Sequence, residues 1–114
     1  LREMAEGSGT MAEIDFQAVP LLTDLAPYLD AGAIPGGTRR NWSSYGDAID
    51  CPDENHRHSL CDPQTRGGLL TAIDPAKTGG LTALFEHPGL GELARPIGRM
   101  RPAQDDAPRV KVAP

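Results

Sequence analysis

The stretch MAEIDFQ, residues 11–17, sets Ala12, Ile14 and Phe16 on one side and Glu13, Asp15 and Gln17 on the other. That period-two alternation is the mark of a β-strand with one face on a core and one in water. Upstream, Leu1, Met4 and Ala5 share a helical face, and Gly7 and Gly9 supply a stop. This helix has a stop signal but no start signal, as expected of a domain truncated on its N-terminal side. Downstream, Thr23 can N-cap a helix through about Asp30, with Leu25, Tyr28 and Leu29 inward and Gly32 ending it.

Residues 34–47, IPGGTRRNWSSYGD, read as a long polar loop around a glycine pair, and a short helix is expected over 54–60 with Asp53 as its cap. LLTAI, 69–73, reads as a buried strand. Asp74-Pro75 then opens a helix with Asp as cap and Pro at the first position, and Leu81, Leu84 and Phe85 give it an apolar face. Within ELARPIGRM, 92–100, Pro96 confines any strand to a sheet edge or a bulge. RVKVA, 109–113, alternates again, with Val110 and Val112 on one face. Helices and strands interleave without repeats. The predicted class is α+β, a mixed β-sheet with helices packed on it, as one domain spanning 1–114.

Composition narrows the function. The 114 residues carry 11 basic and 16 acidic side chains, a net charge of −5. An acidic chain without a basic stripe is a poor match for a phosphate backbone, so no nucleic-acid partner is expected. No apolar run approaches the roughly 18–20 residues that span a bilayer, so no membrane is expected either. LREMAEGSG lacks the basic and apolar regions of a signal peptide. Two cysteines do not make a disulfide scaffold, and a reducing, cytoplasmic setting is the simplest expectation.

Two groups of residues could carry chemistry. Cys51, His56, His58 and Cys61 offer zinc-type ligands in the spacing C-x4-H-x-H-x2-C. The paired knuckles of zinc modules are missing, and on a helix His56 and His58 point about 200° apart. The bland alternative is two solvent-facing histidines and a buried cysteine. GGTRRN (36–41) and QTRGG (64–68) present amides, hydroxyls and guanidinium groups that could hold an anion: Thr38, Arg39, Asn41, Thr65, Arg66, Gly67 and Gly68. Neither is a P-loop or a G-x-G-x-x-G turn, and glycines there also serve tight turns. Ser43, Ser44 and Ser59 lie in no G-x-S-x-G elbow, and Asp105-Asp106 and Asp53-Glu54 read as turn and cap residues.

Two of these segments carry a family resemblance. LCDPQTRGGLL (60–70) resembles the C-terminal signature of selenophosphate synthetase (selenide, water dikinase), commonly DPQT-S-GGLL, and GAIPGGTRRNWSSYG (32–46) resembles its PGGT-x-RN segment. LREMAEGSG followed by AEIDFQAVPLL matches the family's usual run, and the likeness weakens after about residue 75. The resemblance implies the C-terminal domain of the aminoimidazole ribonucleotide synthetase-like superfamily. It implies a homodimeric parent enzyme that makes selenophosphate from selenide, water and ATP with magnesium, releasing AMP and phosphate. The family's ATP- and metal-binding residues lie mainly in its N-terminal half. No position here matches them, so no catalytic or metal-binding residue carries over. The expected partner is that ATP-binding half. The chain alone is expected to hold no cofactor and to be inactive. Arg66 stands where the family signature has serine.

Overall fold

A computed structural model describes residues 1–64, 68–86 and 89–114. Its centre is the alternating strand β1 (Thr10–Asp15), with helix α1 (Arg2–Gly7) folded back on it. Helices α2 (Leu25–Asp30) and α3 (Gly36–Tyr45) follow. Next come the two-residue strand β2 (Ile49–Asp50) and helix α4 (Glu54–Leu60). Helix α5 (Thr78–Glu86) precedes strands β3 (Gly98–Pro102) and β4 (Val110–Ala113).

The four strands form one sheet in the order β2-β4-β1-β3. β1 runs antiparallel to β3 and parallel to β4, and β4 runs parallel to β2, so the mixed α+β class is as the sequence predicts. The register explains the core. Ala12 faces Val110 and Ile14 faces Val112 across the β1–β4 pair, while Ile49 faces Val110 across β2–β4. Ala12, Ile14, Val110 and Val112 are all buried, with Cys51 beside them and Phe16, Val19, Trp42, Ile97 and Met100 packed around. The alternations read at 11–17 and 109–113 thus meet on one face of the sheet. On β1's other face Met11 is also buried.

Several expectations are corrected. The polar loop of 34–47 is largely helix α3. Its glycine pair sits in the first turn, where backbone amides need no intrahelical acceptor, so glycine weakens the helix less than it would at mid-helix. Trp42 then supplies an apolar contact to the core, and the Arg57 guanidinium of α4 lies 5.1 Å over its ring. LLTAI is not a buried strand: 69–73 is irregular, and Leu69, Leu70 and Ile73 are 87%, 40% and 38% exposed. β-propensity is realised only through cross-strand pairing and burial, and among the described residues no strand pairs with this segment.

The expected strand over 92–100 is a 3₁₀ turn at Gly91–Leu93 followed by β3, which starts only at Gly98. β3 is an edge strand, the position that Pro96 implied, and Pro96 itself lies outside it. Gly98 is required there, because a Cβ would run into the backbone carbonyl of Glu13 on β1. α2 starts at Leu25 with Asp24 rather than Thr23 at its N-cap, and Tyr28 faces outward at 63% exposure. On α5, Leu84 is exposed while Leu81 and Phe85 are half-buried. β2 carries no signal in the sequence because two residues cannot show a period.

Other local expectations hold. Asp53 caps α4 by accepting from the His56 amide at 2.8 Å, and Asp74 accepts from the Ala76 amide ahead of α5. Asp105-Asp106 form a turn, with Asp106 at φ 59°.

Candidate functional site

The two motif segments that lie far apart in sequence come together. The Asn41 side-chain amide, one turn into α3, donates to the Cys61 carbonyl at 2.9 Å. A Cβ added to Gly37 would fall 2.6 Å from Pro63. Glycine at 37 is therefore what lets the Asp62-Pro63 turn lie against the first turn of α3. The junction joins PGGTRRN to CDPQ.

Of the anion-site candidates, Thr38 is buried, with 1% of its surface exposed, and among the described residues its Oγ1 has no hydrogen-bond partner. Arg39 projects into solvent and Asn41 is committed to Cys61. Gly68 lies in irregular chain with open space beside it. Thr65, Arg66 and Gly67 fall outside the described residues. Facing the junction, the Asp62 carboxylate accepts from the Gln64 side-chain amide at 2.5 Å.

The zinc-type candidates sit on and around α4. Cys51 is buried just after β2, and Cys61 caps the C-terminus of α4 at intermediate exposure. Burial pushes both thiols above their ordinary value, opposed at Cys51 by the Arg57 charge. The histidines are partly buried rather than solvent-facing. His56 stacks on Phe16 with ring centroids 3.6 Å apart, and its Nε2 lies 3.8 Å from Asp53. His58 approaches Glu54 at 3.8 Å, on a different side of α4. Among the described residues no three His, Cys, Asp or Glu side chains cluster as metal ligands would.

The stack of His56 on Phe16 has no signal in either residue's local pattern, because it depends on how α4 returns to the sheet. Both rings line an open groove of about 490 Å³ between α2 and α4, together with Leu21, Leu22, Leu25, Leu29, Asp53 and Asn55. Ser59, in the same groove, donates to the Asn55 carbonyl. No activated nucleophile is built there.

The arrangement is that of an α+β domain in which the Asp62-Pro63 turn lies against the first turn of helix α3 beside a mixed sheet. No protein-family model matches the chain. Curated relatives do. The chain is 48% identical over 101 residues to a selenide, water dikinase of Aeromonas hydrophila, covering 89% of this chain and 29% of that protein. It is 44% identical over 110 residues to that of Pseudomonas putida, covering 96% and 31%. With that of Escherichia coli it shares 38% identity over 112 residues, covering 98% and 32%. The sequence relationship to the selenide, water dikinases is therefore shown. The chain spans about 30% of the length of these relatives.

Proposed function

We infer that this chain is the C-terminal domain of a selenophosphate synthetase-type enzyme, a dikinase acting on ATP, selenide and water. The observation that carries this reading is identity of 38–48% along almost the whole chain to about 30% of enzymes of that name. The role that follows is to complete the enzyme by packing against an ATP- and magnesium-binding half. The described residues present no clustered carboxylates of the kind that hold magnesium for phosphoryl transfer. Alone, the domain has no dikinase activity. Two free cysteines fit a reducing, cytoplasmic enzyme, and the parent is a homodimer.

The test is a chimera. The matching 101 residues of the Aeromonas hydrophila relative are replaced by this chain, and AMP formation from ATP and selenide is measured beside the isolated chain. Selenide-dependent AMP formation by the chimera and none by the isolated chain is the expected result. A folded chimera that binds ATP but forms no AMP would sink the reading, and so would activity of the chain alone.

A further inference from the structure

We propose that the outer edge of β3 accepts an extended acidic peptide as a fifth strand, with carboxylates set against Arg99 and Arg101. This site is independent of the reading above, because it rests on the sheet within this chain. β3 is the last strand in the order β2-β4-β1-β3, and four of its five residues are exposed. Its antiparallel register with β1 fixes which backbone groups point outward. The Asp15 amide donates to the Ile97 carbonyl at 2.9 Å, and the Ala103 amide to the Gly9 carbonyl at 3.4 Å. Alternation along an antiparallel pair then turns residues 97, 99, 101 and 103 toward β1 and residues 98, 100 and 102 away from it. The outward row is the Gly98 and Met100 amides with the carbonyls of Gly98, Met100 and Pro102. Pro102 has no N–H, so it blunts one end of the edge and leaves the rest able to pair.

The second observation is a row of charge across the sheet. Asp50 of β2 faces Lys111 of β4, Lys111 faces Glu13 of β1, and Glu13 faces Arg99 of β3. The signs alternate over four strands, and the row ends on a base at the outer edge. Opposite charges on neighbouring strands stabilise pairing and like charges oppose it, so the next position outward favours a carboxylate. The Arg99 side chain is 67% exposed, and its Nε lies 4.0 Å from the Glu13 carboxylate. Arg101, on the same face, holds that carboxylate more closely, at 3.2 Å. Both arginines turn their backbone groups to β1. Toward a docked antiparallel strand they therefore stand at the non-hydrogen-bonded positions, where side chains approach most closely.

An open hollow of about 360 Å³ lies on this face, lined by Met11, Glu13, Arg101, Pro102, Ala103 and Gln104. Its buried Met11 and its Arg101 guanidinium suit the apolar stem and the carboxylate of a glutamate. In strand addition, main-chain bonds along the edge supply affinity and such a hollow for an alternate side chain supplies specificity. A second copy of the chain is disfavoured, because β3 paired antiparallel with its counterpart sets arginine opposite arginine.

The experiment titrates the full chain with the blocked peptide acetyl-TEVEVT-amide at fixed ionic strength, followed by amide NMR, with acetyl-TKVKVT-amide as a parallel arm. Saturable shifts and slowed hydrogen exchange at Gly98 and Met100 are expected with the acidic peptide, and about tenfold weaker binding with the basic one. Arg99→Glu is expected to narrow that preference about fivefold with Tm little changed, since the side chain is exposed. The two peptides are compared on the unaltered protein, so the preference is decided even if the variant fails to fold. Shifts that stay linear in peptide, saturable shifts confined to other residues, equal binding of the two peptides, or an Arg99→Glu variant with the parental preference would each overturn the proposal. So would Gly98 and Met100 shifts that follow protein concentration alone, which would assign the edge to a second copy.

Discussion

The sheet face built from β1, β2 and β4 and the stretch from 68 to 97 both carry runs of aliphatic residues, and they end in opposite environments. Val110 and Val112 are each 5% exposed, whereas Leu69 is 87% and Leu93 is 63% exposed. Hydropathy does not separate VKV from LLTAI. The difference is pairing. β4 has a strand on each side, so its inward side chains meet Ala12, Ile14 and Ile49, while 69–73 has no such neighbour among the described residues. In this fold an apolar run becomes core only where another element completes its hydrogen bonds, since an unpaired backbone cannot be buried without loss.

The largest effect that would break this contrast is expected from Val112→Asp, which puts an unpaired carboxylate on the closed face. The expected outcome is loss of the cooperative thermal transition, read by circular dichroism. Gly98→Ala comes next. Its Cβ meets the Glu13 carbonyl, so the β1–β3 register must shift. A loss of about 2 kcal/mol in chemical denaturation is expected, in the range for strained backbone sites. A variant of parental stability would show that the β3 edge is loosely held.

A smaller and pH-dependent effect concerns α4. The His56 amide bond, aided by the charges of His56 and Arg57, holds the Asp53 carboxyl below its ordinary value of 3.8. A group whose folded pKa is depressed contributes its stability above the unfolded value and loses it as pH falls through the folded one. The helicity of 54–60, read from Cα secondary shifts against random-coil values at each pH, should therefore hold down to about pH 5 and report fraying from about pH 4 downward, and Asp53→Asn should flatten that response. The smallest change is expected from Leu69→Asp. On the exposed stretch it should alter stability by less than about 0.5 kcal/mol. A large loss would mean that 69–73 is buried in solution, and the contrast with β4 would fall.

The pairing also marks what could be read without the structure. β1 and β4 were legible because each is half-buried and so alternates, and Asp53 and Asp74 were legible because a cap is a local event. Helix α3 was not, since PGGT looks like a turn until Trp42 is seen to reach the core four residues on. The environment of 69–73 is not legible either, because a buried strand and an exposed apolar segment can have the same composition. At the candidate site, Thr38, Arg39 and Asn41 could be named from the sequence. The contact of Gly37 with Pro63 could not, as it depends on the return of the chain after α4.

One feature of the sheet bears on how the chain is made. β4 is the last of the four strands in sequence, yet it lies between β2 and β1. Until residues 110–113 leave the ribosome, the two earlier strands have no common neighbour, and the faces of Ala12, Ile14 and Ile49 stay open. The sheet is then closed by its latest piece, across a loop of nearly a hundred residues, a topology that folds slowly and only after synthesis has passed it. During that interval the apolar faces of Ala12, Ile14 and Ile49 are open to other chains, the exposure that makes an unfinished sheet prone to aggregate.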